Sequence, residues 1–151
     1  VLNLLQELEC IVDALVEHRI PYAICGGIAM SVHGFTRATE DIDLFIRPED
    51  AERVEQGVAP LGYVVKAKPM SFSSNAMLIR RVSRIDPSDG DVLTLDLLLA
   101  TSATQAAWDS RELREWRDRE VSVVSREGLI LLKRFRSSDQ DLVDISRLEN
   151  E

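Results

Sequence analysis

At 151 residues and 45% hydrophobic content, the chain is long enough for one domain with a core of its own, and needs neither disulfides nor structural metals to hold it. A formal net charge of −8 argues against a protein that coats nucleic acid through general electrostatics. No apolar run reaches the length of a membrane span, and the N-terminus lacks the basic-then-apolar order of a signal peptide, so a soluble cytoplasmic protein with no membrane partner is expected.

Leu4, Leu8, Ile11, Val12, Leu15 and Val16 recur at helical spacing and predict an amphipathic helix over 2–19, ending before Pro21. Tyr22 to Cys25 is a short apolar run that suits a buried strand. Gly26-Gly27 closes it, and 28–33 reads as a short helix opening at the glycines and closed by Gly34. Cys10 and Cys25 sit in apolar stretches and read as buried free thiols. Residues 41–46 alternate, with Ile42, Leu44 and Ile46 on one face and Asp41, Asp43 and Phe45 on the other. A helix starting at Pro48-Glu49-Asp50 runs to the region of Pro60 to Gly62.

Tyr63 to Val65, Met77 to Ile85 and Val92 to Leu99 read as strands, with 66–75 a long polar loop. Pro87-Ser88-Asp89-Gly90 makes the last two an antiparallel pair. No acid falls between Glu55 and Asp86, whereas Lys66, Lys68, Arg80, Arg81 and Arg84 do, which leaves a basic zone open to phosphates or to plain solvation. From Thr101 the pattern is helical through Trp116, returns to strand at Val121 to Val124, and ends in helices over 126–136 and 139–149. Ser138 and Asp141 form a candidate capping box at the start of the last. The expected architecture is α/β (α+β): a small mixed sheet flanked by helices with a helical C-terminal end, one domain over 1–151 with its catalytic core at about 20–100.

Two aspartates one residue apart on a strand point the same way, so Asp41 and Asp43 converge hard oxygen ligands on one spot, an arrangement that suits Mg²⁺. Gly26 and Gly27 leave backbone N–H groups unobstructed for a phosphate chain. Asp96 lies within Leu93-Thr94-Leu95-Asp96-Leu97-Leu98-Leu99, where a carboxylate is hard to explain as solvation and should meet a cation or be protonated. A phosphate-cradling turn, a two-carboxylate metal site and a third carboxylate are parts suited to phosphoryl or nucleotidyl transfer.

Gly26-Gly27, then Asp41-Ile42-Asp43, with Asp96 downstream in an apolar strand, resembles the signature of the nucleotidyltransferase superfamily that includes DNA polymerase beta. With its His33-Gly34 and Arg37-Ala38-Thr39, the stretch 26–43 is more specifically similar to the abortive-infection toxins of type IV toxin–antitoxin systems. Lys133 and Asp141-Leu142-Val143-Asp144 are similar to the lysine and Asp-x-x-Asp helix of that branch. Ser137-Ser138-Asp139-Gln140 stands where an arginine and a lysine are usual.

The resemblance implies a nucleotidyltransferase fold in which Asp41 and Asp43 hold Mg²⁺ (or Mn²⁺) against an NTP, and Asp96 completes a second metal position or acts as base. Gly26 and Gly27 would hold the phosphates. Arg37 and Thr39 would touch phosphate or order the loop, and Lys133 would reach the triphosphate or snorkel at a helix edge. His33 is read as a scaffold histidine. Asp141 and Asp144 compensate a helix dipole unless they hold Lys133 or Arg136. Trp108 and Trp116 read as packing residues. The implied reaction moves an NMP from the NTP to a hydroxyl, with an RNA or protein acceptor in a toxin–antitoxin setting preferred and an antitoxin as partner. The alternatives are a non-catalytic nucleotide-binding module and a small antibiotic-modifying transferase, which needs an acidic pocket that the sequence does not locate.

Overall fold

A computed structural model describes residues 1–151. Helix α1 (Leu4–Glu17) is capped by Asn3, whose side chain accepts from the Gln6 amide, and buries Leu8, Ile11, Val12 and Leu15 on one stripe. The stripe falls where the spacing predicts except at Val16, which is exposed. Cys10 departs from expectation: it lies on the exposed face of α1, whereas Cys25 is buried, and both are free thiols.

Strand β1 (Ala23–Cys25) runs directly into α2 (Gly26–Val32), so the glycines form the helix's first turn rather than a separate turn before it. Strand β2 (Ile42–Ile46) is buried on both faces. A single 3₁₀ turn at Pro48–Asp50 then leads into α3 (Ala51–Val58). Strands β5 (Met77–Ile85) and β6 (Val92–Leu99) have the predicted bounds and antiparallel pairing.

Three predicted segments differ. The strand expected at Tyr63 to Val65 is the two-residue β3 (Val65–Lys66), and the expected loop contains a further strand, β4 (Met70–Phe72), paired with β5. The β4–β5 tip turns through Ser73, Ser74 and Asn75, all at positive φ, without the glycine that signals such a turn. Between Thr101 and Trp116 helix α4 occupies only Gln105–Asp109. Strand β7 (Glu112–Trp116) follows and makes a hairpin with β8 (Arg119–Val123). The hairpin turns at Arg117-Asp118, both left-handed in φ at 53° and 63°, again with no glycine to announce it.

The strands form one mixed sheet in the order β3-β5-β6-β2-β1-β8-β7, with β2–β6 and β1–β8 parallel. Helices α5 (Arg126–Arg136) and α6 (Asp139–Asn150) complete the chain. Ser138 and Asp141 form the capping box, each accepting from the other's amide at 3.1 Å. The buried core is one cluster running from Leu8 to Leu148, so the C-terminal helices share it with the sheet. No helix is long and apolar enough to cross a membrane.

The basic zone is not a free cationic face. Arg80 and Lys66 both meet Glu55, at 2.8 and 3.6 Å, Arg84 meets Glu7 at 2.6 Å, and Arg81 meets Asp96 at 2.7 Å. Its positive charge is largely spent on acids supplied by other elements.

Candidate active site

The sheet register builds the site. Cys25 of β1 pairs with Asp43 of β2, Asp43 with Asp96 of β6, and Asp96 with Arg81 of β5. Residues directly opposite one another share a face, so these four side chains form a row across four strands, with Asp41 two residues before Asp43 on the same side. The row faces α5, from which Leu129 and Leu132, with Leu98 of β6, seal the apolar side of a small cavity that reaches Asp43.

Gly26 has to be glycine. Its φ is +66°, and a Cβ there would lie 2.0 Å from Asp43 Oδ2. A Cβ on Gly27 would meet Thr39 Oγ1 at 2.7 Å and Arg37 Nη1 at 3.2 Å. The absent side chains thus let the start of α2 close onto Asp43, Thr39 and Arg37. Together with Asp41, Lys133 and Arg136 these residues line a cleft of about 330 Å³. A larger cleft of about 510 Å³, between α3 and β5, holds none of the three aspartates.

Asp43 is 7% exposed, and its Oδ1 is buried with no hydrogen-bond partner. The nearest cation, Arg136 Nη1, stands 3.9 Å from that oxygen. Burial is the main force on this carboxyl; Arg136 opposes it, Asp96 and Asp41 add to it, and the pKa is pushed up to about 7. Asp41, half-buried, is raised in the same direction by burial and then by the charge on Asp96. A buried, unpartnered carboxylate oxygen beside a second carboxylate fits a divalent cation, and Asp41 and Asp43 are the residues placed to hold one.

Asp96 is 1% exposed, and the cation it meets is a side chain: Arg81 donates from Nε to Oδ1 at 2.7 Å and from Nη2 to Oδ2 at 3.0 Å. Asp96 is the direct cross-strand partner of Asp43, and its carboxylate is turned to Arg81 in this structure. The fork also raises the Arg81 pKa, first through the hydrogen bond to Asp96.

The C-terminal helices supply the remaining charges. Asp144 is fully buried and accepts from Lys133 Nζ at 2.8 Å, from Gln140 Nε2 at 2.9 Å and from Arg37 Nε at 3.2 Å. Burial pushes its carboxyl upward, but the bonds from Lys133, Arg37 and Gln140 outweigh it and leave the pKa below the ordinary value. Lys133, 4% exposed, also reaches Asp141 at 3.4 Å, and Arg136 Nε lies 3.9 Å from Asp141. The aspartates of α6 therefore do hold Lys133. Lys133 is a buried, doubly paired cation rather than a snorkelling one.

Arg37 is tied to Asp144 and to the Ala38 carbonyl, and Thr39 Oγ1 donates to the Asp41 carbonyl at 3.3 Å, so both order the loop that carries Asp41. His33 Nε2 donates to the Val124 carbonyl at 2.8 Å, the scaffold role expected of it. Trp108 packs edge-on against Phe45, with ring centroids 5.5 Å apart. The sequence reading missed Gln140, placed Arg81 only in the basic zone and not beside Asp96, and named Arg136 only as a group that acids might hold. Register on the β5–β6 hairpin places Arg81 beside Asp96, and helical spacing places Arg136 one turn beyond Lys133.

A family model described as aminoglycoside-2″-adenylyltransferase matches residues 7–148. A search of curated proteins by sequence finds no match. Among solved structures, the chain is similar to the lincosamide antibiotic adenylyltransferase LnuA with lincomycin bound, at 18% identity and a TM-score of 0.61, covering 96% of each chain. ANT(2″)-Ia in complex with adenylyl-2″-tobramycin is 19% identical with a TM-score of 0.62, over 93% of this chain and 84% of that one. A putative nucleotidyltransferase from Thermotoga maritima is 17% identical with a TM-score of 0.56, over 96% and 88%. At these identities the structures establish the nucleotidyltransferase fold, as the Gly-Gly and Asp-x-Asp pattern implied. The toxin branch, to which residues 26–43 are similar, is not the family that matches.

Proposed function

Since the chain belongs to the aminoglycoside-2″-adenylyltransferase family and is a nucleotidyltransferase, we propose that residues 1–151 act as one domain that transfers an adenylyl group from ATP to a hydroxyl of a small antibiotic-like acceptor. The observation that carries this reading is the unpartnered Oδ1 of Asp43, buried beside Asp41 in a cleft that also presents Gly26, Gly27, Lys133 and Arg136. Asp41 and Asp43 would hold Mg²⁺ or Mn²⁺, which supplies charge neutralisation for the triphosphate. The glycine backbone leaves room for phosphate oxygens, and Arg136, not hydrogen-bonded to either neighbouring acid, is free to turn to them. Lys133, Arg37 and Thr39 act by fixing the cleft wall. The acceptor oxygen bonds to the α-phosphorus as the bond to the β-phosphate oxygen breaks. Pyrophosphate leaves, and Asp96 takes the hydroxyl proton.

Neither the family nor the fold supports an RNA, protein or antitoxin partner. The basic zone that would have received RNA is occupied by Glu7, Glu55 and Asp96. The test is incubation with each α-labelled NTP, with Mg²⁺ or Mn²⁺, and with tobramycin, lincomycin or total RNA. Label passing from ATP to a small acceptor, and lost with Asp43→Ala, is the expected result. No transfer to any acceptor, or equal transfer by the variant, defeats the proposal, and label in RNA alone moves the chain to the other reading.

A further inference from the structure

Arg81 has no assigned role, yet it is the only hydrogen-bond partner of the Asp96 carboxylate, and it bonds through two N–H groups at once, at 2.7 and 3.0 Å. The two ends of this fork differ in their access to solvent. Asp96 is 1% exposed in the middle of the sheet, whereas the Arg81 side chain is 36% exposed. A carboxylate offers about four lone-pair sites and a guanidinium five N–H donors. The fork uses two of each, so Asp96 keeps lone pairs for a hydroxyl proton and Arg81 keeps donors that face outward. The register fixes the arrangement, because Arg81 and Asp96 are direct cross-strand partners, and Asp96 is in turn the partner of Asp43.

Resting on the adenylyl-transfer reading of this cleft, we infer that Arg81 is a positioning residue for Asp96: its fork holds the buried carboxylate in one plane, with its remaining lone pairs presented to the acceptor hydroxyl. Without the guanidinium, a buried charge loses its only counter-charge, and the carboxylate no longer has a defined orientation. Lysine keeps the charge but supplies a point donor in place of a planar fork. Arg81 acts on the proton-accepting group and not on the nucleotide, which the glycines, the Asp41–Asp43 pair and Arg136 engage.

The experiment uses the full chain with Arg81→Met, Arg81→Lys, Asp96→Asn and the Arg81→Met/Asp96→Asn pair. Adenylyl transfer is measured to whichever of tobramycin or lincomycin the wild type accepts, and affinity for a non-hydrolysable ATP analogue with Mg²⁺ is measured by calorimetry. Arg81→Met is expected to lower kcat by roughly 30- to 300-fold while the KM for ATP and the analogue affinity stay within about threefold. Arg81→Lys falls between, and the double variant is no slower than Asp96→Asn alone, because both changes remove the same function. If Arg81→Met does not fold, Arg81→Lys carries the same comparison. A kcat near wild type, an analogue affinity that drops as far as kcat, or additive losses in the double variant each overturn the inference. A wild type that transfers to no acceptor defeats the adenylyl-transfer reading and this inference with it, a result distinct from an active wild type matched by its Arg81 variants.

Discussion

Replacing Gly26 with alanine separates the backbone demand of the site from its chemical demand. At φ +66° an L-residue is strained, and its Cβ would stand 2.0 Å from Asp43 Oδ2, 2.7 Å from Cγ and 2.8 Å from Cβ. Gly90 supplies the control: its φ is +75°, but nothing lies within 4 Å of a Cβ placed there. The left-handed backbone costs about 1–2 kcal/mol at either position, which for a domain of this size lowers Tm by roughly 2–8 °C. Only at Gly26 does a steric demand follow. The Asp43 carboxylate must move by more than 1 Å to reach an ordinary contact, and a misplacement of about 1 Å already costs on the order of 100-fold in rate. Thermal melts paired with adenylyl-transfer rates read both quantities. The expected outcome is a melting loss in Gly26→Ala at least as large as in Gly90→Ala, with transfer collapsing in the first alone. Equal activity in the two variants would refute the claim that Gly26 is glycine on account of Asp43.

Asp43 should make the metal-free fold sensitive to pH. With a folded pKa of about 7, above the ordinary carboxylate value, its contribution is fully present below about pH 4 and is lost as pH rises through 7, so melts in chelator should fall between about pH 5 and about pH 8. Asp43→Asn should flatten that fall, and an unchanged slope in the variant would show that another group is responsible. Asp144 has the opposite sign: its depressed pKa stabilises the fold above about pH 4 and the benefit disappears in more acidic solution. Asp144→Ala leaves Lys133 buried with only Asp141 at 3.4 Å, a loss of about 3–5 kcal/mol, and a chemical denaturation midpoint equal to wild type would show the network to be unimportant. His33→Ala removes the bond to the Val124 carbonyl and should cost about 1 kcal/mol in stability while nucleotide affinity stays within about threefold; a selective loss of affinity would instead make the histidine a ligand.

The glycine and aspartate half of the candidate site was legible because it is local. Gly26, Gly27, Asp41 and Asp43 fall within eighteen consecutive residues, and period-2 alternation is enough to put both aspartates on one face. Asp96 was legible for a different reason, as a charge in an apolar strand. Its partner follows from the hairpin: the β5–β6 bounds and turn match the sequence pattern, and the register steps back from Ile85–Val92 to Arg81–Asp96. Arg37 to Asp144 spans 107 positions, a contact that no periodicity reports. The missed strands share one cause: β4–β5 and β7–β8 turn through Ser, Asn, Arg and Asp at positive φ, where glycine would have marked the turn. Helical spacing from Trp108 to Trp116 then filled the gap with the wrong element.

The charges of the cleft bear on which substrate it grips. Four acids line it, Glu40, Asp41, Asp43 and Asp141, against Arg37, Lys133 and Arg136. Arg37 and Lys133 are committed to buried Asp144, and Arg136 stands 3.9 Å from both Asp43 and Asp141 without bonding to either. A divalent cation at Asp41 and Asp43 would cancel that pair of acids and leave the Arg136 guanidinium to the phosphates, so on the proposed reading cation and triphosphate would support each other's binding. With a cation on Asp41 and Asp43, and with Asp141 held by Lys133 and Ser138, Glu40 would be the one lining acid left to a cationic acceptor, an exposed charge that gains little from pairing. On the proposed reading, the side chains that suit the nucleotide would therefore do little to select the acceptor, and that choice would fall to groups outside this set.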